Sequence, residues 1–198
     1  MRKSIRGYEF QIDTGAAVPL TCKVPVFGPH EERVILELVE QLEKKGLIED
    51  DEGPWGSPIV LASKPNQDHK HWSEYVFRLC VSYRALNAIT RPFLFPVRRC
   101  DDAIEMVAAA LYIITMDLDA GYWQMKLRES SKAKTAFYVP RGKKRWTVTP
   151  MGATNAHPAF VAMAMELEDK WNQLYRETRM KEQDAKTLKL LAWIGEPF

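Results

Sequence analysis

Asp117 stands directly after the six-residue apolar run Leu111-Tyr112-Ile113-Ile114-Thr115-Met116. An unbroken run of that length reads as a buried strand. A carboxylate at the exit of such a strand is costly to leave unpaired, so it is neutralised, ion-paired or bound to a cation. Oxygen donors of this kind hold hard divalent ions such as Mg2+. Composition alone favours the plainer reading of a turn aspartate ahead of Ala120-Gly121. His69 and His71 are two further candidate ligands, but no Cys or third His lies nearby in sequence, and they read as part of a solvated loop. Arg141, Lys143, Lys144 and Arg145 form a basic cluster, and Glu49-Asp50-Asp51-Glu52 an acidic one. Taken alone, each reads as a solvated turn.

The elements that must position these groups follow from periodicity. Residues 1–27 are irregular and broken by Pro19 and Pro25. A helix opens at Pro29, with Glu31 and Glu32 at its positive end and Ile35, Leu38, Val39 and Leu42 on one face. Lys44 and Lys45 close its last turn and Gly46 stops it. Residues 58–62 and 77–81 read as strands joined by the polar segment 65–74. A short helix over 99–110, capped by Cys100 or Asp101, leads into the strand at 111–116. Residues 122–127, 135–139 and 145–148 alternate as strands do, and the last two flank Pro140-Arg141-Gly142-Lys143-Lys144 as a hairpin. A long helix begins near Asn155 as N-cap, with Phe160, Met163, Ala164, Leu167, Trp171 and Leu174 along its apolar stripe. Beyond Tyr175 the chain is charged and the pattern fades.

Composition sets the outer limits. The 198 residues are 46% hydrophobic and 27% charged, with six Trp, seven Tyr and eight Phe, which is the make-up of a packed globular chain. No stretch is long and apolar enough to span a bilayer, and Met1-Arg2-Lys3-Ser4 lacks the apolar core of a secretion signal. Cys22, Cys80 and Cys100 are odd in number and far apart, the pattern of free thiols in a reducing compartment. A net charge of +2 neither requires nor opposes nucleic-acid binding.

Several segments, in order, resemble one family. Thr115-Met116-Asp117-Leu118-Asp119-Ala120-Gly121-Tyr122-Trp123-Gln124 resembles the first catalytic motif of gypsy-type LTR-retrotransposon reverse transcriptases: an apolar run, Asp-Leu, two variable residues and Gly-Tyr-x-Gln. Trp55-Gly56-Ser57-Pro58-Ile59-Val60-Leu61 resembles the family's "PWASPIVLV", and Arg78-Leu79-Cys80-Val81-Ser82-Tyr83-Arg84-Ala85-Leu86-Asn87 its "RLCVDYRALN". Lys134-Thr135-Ala136-Phe137 matches "KTAF", and Pro150-Met151-Gly152-Ala153-Thr154-Asn155-Ala156 matches "PFGLTNA". Phe95-Pro96 ahead of a short helix fits, and Phe10-Gln11-Ile12-Asp13-Thr14-Gly15-Ala16 matches "HxIDTGDA". The likeness covers roughly residues 8–165, and motifs in this order are a specific signal.

The resemblance implies an α+β fold, the fingers and partial palm of a right-hand polymerase, with an antiparallel palm sheet and packed helices. It divides the chain into an N-terminal lead-in (1–27), fingers (28–92), a partial palm with the first catalytic motif (93–175) and a divergent or truncated tail (176–198). It implies RNA-directed DNA polymerisation on an RNA or DNA template with primer, as one part of a polyprotein that also carries the remaining palm, a thumb and ribonuclease H. Asp117 and the Leu118 carbonyl would hold Mg2+ or Mn2+. Lys64 and Arg78 match the fingers cations that close on the dNTP triphosphate, as a point charge and a fork. Tyr122 matches the aromatic residue under the nucleotide sugar, and Met151 and Gly152 the turn beneath the new base pair. Arg84, Asn155 and Pro158 fall in segments expected to meet nucleic acid. No membrane is implied, and the location is the cytoplasm, within a virus-like particle, or the nucleus, not the secretory route.

Departures from the pattern bear on activity. Ser82 stands where the family has Asp, Met151 where it has Phe, and His157 precedes Pro158 as an insertion. Lys64 lies in Ser63-Lys64-Pro65 rather than in a lysine run. The Tyr-x-Asp-Asp or Val-Asp-Asp motif expected after the long helix is absent; the Asp-Asp pairs are Asp50-Asp51 and Asp101-Asp102, both upstream. Catalysis by two metals would then be feeble or lost in the chain alone. The strand ending at Asp117 would lack its usual neighbour, a place the apolar Leu188, Leu190, Leu191 and Trp193 could fill without carboxylates. Two other readings compete. Ile12-Asp13-Thr14-Gly15 is also the aspartic-protease signature, but a helix begins about fifteen residues later and leaves no room for such a fold. A degenerate or co-opted module that binds nucleic acid or protein without catalysis is the second.

Overall fold

The computed structural model describes residues 7–64, 76–96, 99–108, 114–116, 118–179 and 190–192. In chain order the elements begin with β1 (Glu9–Phe10), α1 (Pro29–Lys44), β2 (Ile48–Asp50), β3 (Ile59–Ser63), β4 (Phe77–Val81), α2 (Arg84–Ile89), α3 (Cys100–Ala108) and β5 (Ile114–Met116). There follow β6 (Lys126–Leu127), α4 (Glu129–Lys132), β7 (Phe137–Val139), β8 (Gly142–Trp146), α5 (Ala156–Arg179) and β9 (Leu190–Ala192). The fold is α+β, as expected.

These elements form two units. The first takes Met1–Pro92 and Tyr122–Ala156, the second Phe93–Gly121 and His157–Phe198. Both units are discontinuous in sequence. The reason is strand pairing: β8 is the middle strand of a β2-β8-β7 sheet, which ties residues 137–146 to the first unit.

In the first unit α1 obeys its local signals. Glu31 reaches back to accept a hydrogen bond from the Gly28 N–H at 2.8 Å, Pro29 opens the helix, and Gly46 leaves it at a φ of +68°. Val34, Ile35 and Val39 are buried, and Val34 packs with Val76 and Phe77 against Leu38 and Leu61. Burying each such side chain contributes roughly 1.5–3 kcal/mol. The strands β3 and β4 pair antiparallel over Ile59↔Val81 to Ser63↔Phe77. Gly56, just before β3, accommodates the Tyr138 ring: a Cβ there would lie 2.4 Å from its hydroxyl oxygen. The Thr135 side chain joins several pieces, donating to the Lys132 carbonyl (2.7 Å) and accepting from the Trp146 N–H (3.0 Å). Its carbonyl accepts from the buried Tyr83 hydroxyl at 2.9 Å.

Three local expectations are corrected. Residues 122–127 are not one strand: Gly121–Gln124 is a 3-10 turn and only Lys126–Leu127 is extended, pairing parallel with β1. Ala120 enters that turn at a φ of +50°, which reverses the chain before a strand can start. Likewise Ala133–Thr135 is a 3-10 turn, held by the Thr135 side chain, and the strand starts at Phe137. The hairpin is tighter than expected, because Val139 pairs with Gly142 and leaves only Pro140-Arg141 as its loop. Gly142, Lys143 and Lys144 are therefore strand residues.

In the second unit α5 starts after Asn155, as the capping signal indicated. Phe160, Val161, Met163 and Ala164 are buried, while Trp171 is half exposed. Phe160 closes on Gly121, where a Cβ would lie 2.6 Å from the ring. The strand β5 runs parallel to β9, with Ile114↔Leu190, Thr115↔Leu191 and Met116↔Ala192. Of the apolar tail, Leu190–Ala192 thus lies beside Ile114–Met116. Among the described residues this is the pairing that β5 makes, and it is parallel.

Candidate active site

Lys64 and Arg78 belong to the same β3–β4 hairpin region. Ala62 pairs with Arg78, and the Lys64 N–H donates to the Val76 carbonyl at 2.7 Å, extending the ladder one step beyond Ser63. Side chains alternate along strands, so Ala62 and Val60 share the face of Arg78 and Cys80, while Lys64 lies one residue beyond β3. Ile59 and Phe77, on the opposite face, are buried, whereas Val60, Arg78 and Cys80 are exposed. Arg78 therefore stands exposed on the outer face of the hairpin, with the partly buried Lys64 at its end. Partial burial pushes the Cys80 thiol up, and the nearby Arg78 guanidinium opposes that rise.

A turn lies against the far end of the same hairpin. Gly152 adopts a φ of +86°, and a Cβ there would meet the Val81 carbonyl oxygen at 3.8 Å and the Tyr83 ring at 3.9 Å. Space is available; the backbone angle is what favours glycine. Met151 is exposed beside it. Asn87, on α2, donates from Nδ2 to the Gly152 carbonyl (2.8 Å) and accepts at Oδ1 from the Thr154 N–H (2.9 Å). Asn87 closes the Arg78–Asn87 motif, which by itself points to no task for it. Its residue type carries no sign of which backbone it will meet. Tyr83 beneath is fully buried, and that burial pushes its phenol well above the usual range.

The other candidates are spread. Arg84 is exposed at the start of α2, and Tyr122 is partly buried on the 3-10 turn. Asn155 is buried and donates from Nδ2 to the Arg91 carbonyl at 2.7 Å. Leu118 is exposed and Pro158 sits in the first turn of α5, where a missing N–H costs no helical bond. Asp117, His69 and His71 lie outside the described residues. Among the described residues no group of three or more His, Cys, Asp or Glu converges as a metal site.

The Asp-Thr-Gly segment is a structural tie. Asp13 Oδ1 accepts from the Gly15 N–H at 2.8 Å, and Arg91 Nη1 lies 3.5 Å from Oδ2. The Arg91 N–H donates to the Asp13 carbonyl, and Lys134 Nζ to that of Ile12. The Gly15 hydrogen bond, aided by Arg91 and Lys134, outweighs desolvation and holds the Asp13 carboxyl below the usual range. A carboxylate kept ionised in this way is the opposite of one sharing a proton with a second aspartate.

The charged clusters are not solvated turns. Asp50 pairs with Lys144 and Glu49 with Arg145 across β2 and β8. Arg145 lies 2.8 Å from Glu49 and 3.7 Å from Asp51, and Lys143 is 3.5 Å from Asp51. Lys143 also donates to the Gly53 carbonyl, and Lys144 to Glu43. The basic cluster is largely satisfied within the protein.

Comparison with known proteins supplies the context of this site. The family described as reverse transcriptase (RNA-dependent DNA polymerase) matches residues 64–186. The Pol polyprotein of transposon 412 from Drosophila melanogaster is 32% identical over 140 residues, covering 69% of this chain and 11% of that protein. The Pol polyprotein of transposon gypsy from the same organism is 32% identical over 122 residues, covering 62% and 12% respectively. The chain therefore spans only about an eighth or less of these relatives. A foamy viral protease-reverse transcriptase in complex with dsDNA has the same fold, with a TM-score of 0.65 at 20% identity over 84% of this chain and 33% of that one. With more than half of its length matched by that family, the chain belongs to the reverse transcriptases of retroelement Pol polyproteins.

Proposed function

We propose that this chain is the fingers and first palm portion of a gypsy-type reverse transcriptase, and that it binds the incoming dNTP and the template–primer. The observation that carries the reading is that the β3–β4 hairpin holds Arg78 exposed on its outer face and Lys64 at its end. A point charge beside a guanidinium fork suits a triphosphate. Tyr122 would lie under the sugar, Met151 and Gly152 under the new base pair, and Arg84 and Pro158 against the nucleic-acid backbone. Residues 28–92 would be the fingers and residues 93–175 the partial palm.

Asp117 and the Leu118 carbonyl are oxygen donors, the ligand chemistry that Mg2+ or Mn2+ takes, and they would hold the ion that neutralises charge developing on the phosphates. The sequence supplies no second carboxylate pair after α5, so the chain alone should bind substrates and fail to extend a primer. A location in the cytoplasm or nucleus accords with the free thiols of Cys22 and Cys80. No described helix is long and apolar enough to cross a membrane.

Fluorescence anisotropy with a labelled DNA template–primer, with and without the dNTP complementary to the next template base, tests the reading. Binding that tightens with the matching dNTP is expected. Binding indifferent to every dNTP would favour the non-catalytic module, and Mg2+-dependent extension by the chain alone would refute its expected inactivity.

A further inference from the structure

Asn87 offers one planar amide to two backbone groups of one turn. Its Nδ2 donates to the Gly152 carbonyl at 2.8 Å and its Oδ1 accepts from the Thr154 N–H at 2.9 Å. The 65 and 67 residues between these partners make the contact long-range rather than a local turn bond. Both partners belong to the segment in which Gly152 holds its positive φ. A turn of that kind has few internal restraints, and glycine adds the most conformational freedom of any residue. An amide that engages one carbonyl and one N–H imitates a neighbouring peptide group and fixes both ends together. Just downstream, the buried Asn155 amide donates to the carbonyl of Arg91, the residue two beyond the end of α2. Two asparagines thus lock residues 152–155 to α2 and its exit.

We propose that Asn87 is a positioning residue: it presets the Met151–Gly152 turn for the base pair formed by the incoming nucleotide. This rests on the assignment of that turn under the proposed function. A preset surface loses less freedom on binding, so its effect should appear in discrimination of the matching dNTP rather than in general affinity for the duplex. Asn87→Asp keeps the acceptor for Thr154 but sets a carboxylate against the Gly152 carbonyl. Asn87→Ala removes both bonds.

Two measurements on the full chain decide the matter: amide hydrogen exchange at Thr154, and anisotropy of a labelled DNA template–primer with matching and mismatched dNTP. Faster exchange at Thr154 in Asn87→Ala is expected, with exchange nearly retained in Asn87→Asp. Both variants should lose roughly tenfold of the wild-type preference for the matching dNTP, the worth of about one good hydrogen bond. Affinity for the duplex alone should stay within about twofold. Equal loss of duplex and dNTP binding would mark a merely structural role and overturn the proposal, as would an unaltered dNTP preference. A wild-type chain with no dNTP preference refutes the functional reading instead. In that case Thr154 exchange still judges the clamp, and unchanged exchange in Asn87→Ala removes it too.

Discussion

Asp50 sits directly opposite Lys144 across the β2–β8 ladder, and the lysine ammonium lies 2.6 Å from its carboxylate. One step along, Glu49 faces Arg145, and the Asp51 side chain, only 1% exposed, draws on both Lys143 and Arg145. A carboxylate that deeply buried requires its cations, since an uncompensated buried charge is far more costly than the pair is stabilising. Arg145→Met should therefore lower unfolding free energy by on the order of 3 kcal/mol. It should leave template–primer affinity and its salt dependence nearly unchanged, because these cations are not held for phosphates. Urea titration and anisotropy measure the two; a flatter salt slope in the variant would reassign the cluster to nucleic acid.

Lys144 carries a pH signature. Burial of its ammonium opposes the charged form, but the hydrogen bonds to Asp50 and Glu43 outweigh it and raise the pKa above an ordinary lysine. A raised lysine contributes stability that is fully present below its unfolded pKa, about 10.4, and lost as pH rises through the folded value. The wild-type advantage over Lys144→Met should then be constant between about pH 7 and 9 and shrink above about pH 10.5. Parallel urea midpoints across that range provide the check, and an advantage that grows toward alkaline pH would contradict the ion-pair account.

What could be read from sequence was whatever adjacent residues decide together. Pro29, Glu31, Val39 and Gly46 specify α1 within one local window, and the helix lies where they put it. The strands β3 and β4 were legible for the same reason, as apolar runs bounded by breakers. The 122–127 segment misled because Tyr122, Gln124 and Lys126 alternate with their neighbours, while the positive φ at Ala120 acts from outside the pattern. Distant pairing was invisible altogether: the clusters holding Asp50 and Lys144 are 94 residues apart and look solvated when each is read alone. The role of Asn87 was hidden for a related reason, since its partners are backbone atoms that no residue type announces. Lys64 and Arg78, by contrast, were singled out by the family resemblance rather than by any local pattern.

The turn after β5 offers a paired test of strain against packing. Ala120 occupies left-handed space, where an L side chain costs about 1 kcal/mol, and Gly121 leaves no room for a Cβ beneath Phe160. Ala120→Gly should be neutral or stabilising by up to about 1 kcal/mol, while Gly121→Ala should destabilise by roughly 1–3 kcal/mol as the ring is displaced. Thermal melting of the two variants settles it; a harmless Gly121→Ala would show that the Phe160 contact is loose.

Tyr122 is to be tested for sugar choice. Its ring, partly buried on the Gly121–Gln124 turn, would meet a ribose 2′-hydroxyl but not a deoxyribose. Rejection by such a clash is removed when the ring is cut back. Tyr122→Val should therefore bring the affinity of the template–primer complex for the matching ribonucleotide close to that for the dNTP. Persistent preference for the dNTP would leave Tyr122 as a packing residue.

Cys80 provides a reporter on the proposed triphosphate surface. It shares the outer face of β4 with Arg78, two residues along the same strand, and it is exposed. Its thiol is pushed up, so little thiolate exists near neutral pH and alkylation should be slow. A triphosphate held by Lys64 and Arg78 would cover that face and slow the reaction further, whereas Cys22, in the N-terminal segment, should be indifferent and serve as the internal control. Saturating matching dNTP with template–primer should reduce Cys80 alkylation by iodoacetamide several-fold while Cys22 reacts at its usual rate. Arg78→Lys keeps the charge but loses the fork that can grip two oxygens, so protection should largely disappear. Lys64→Ala should weaken it as well. Mass spectrometry of tryptic peptides quantifies both thiols in one sample. Equal protection of Cys80 in the wild type and in Arg78→Lys would mean that the nucleotide, if bound, rests on some other surface.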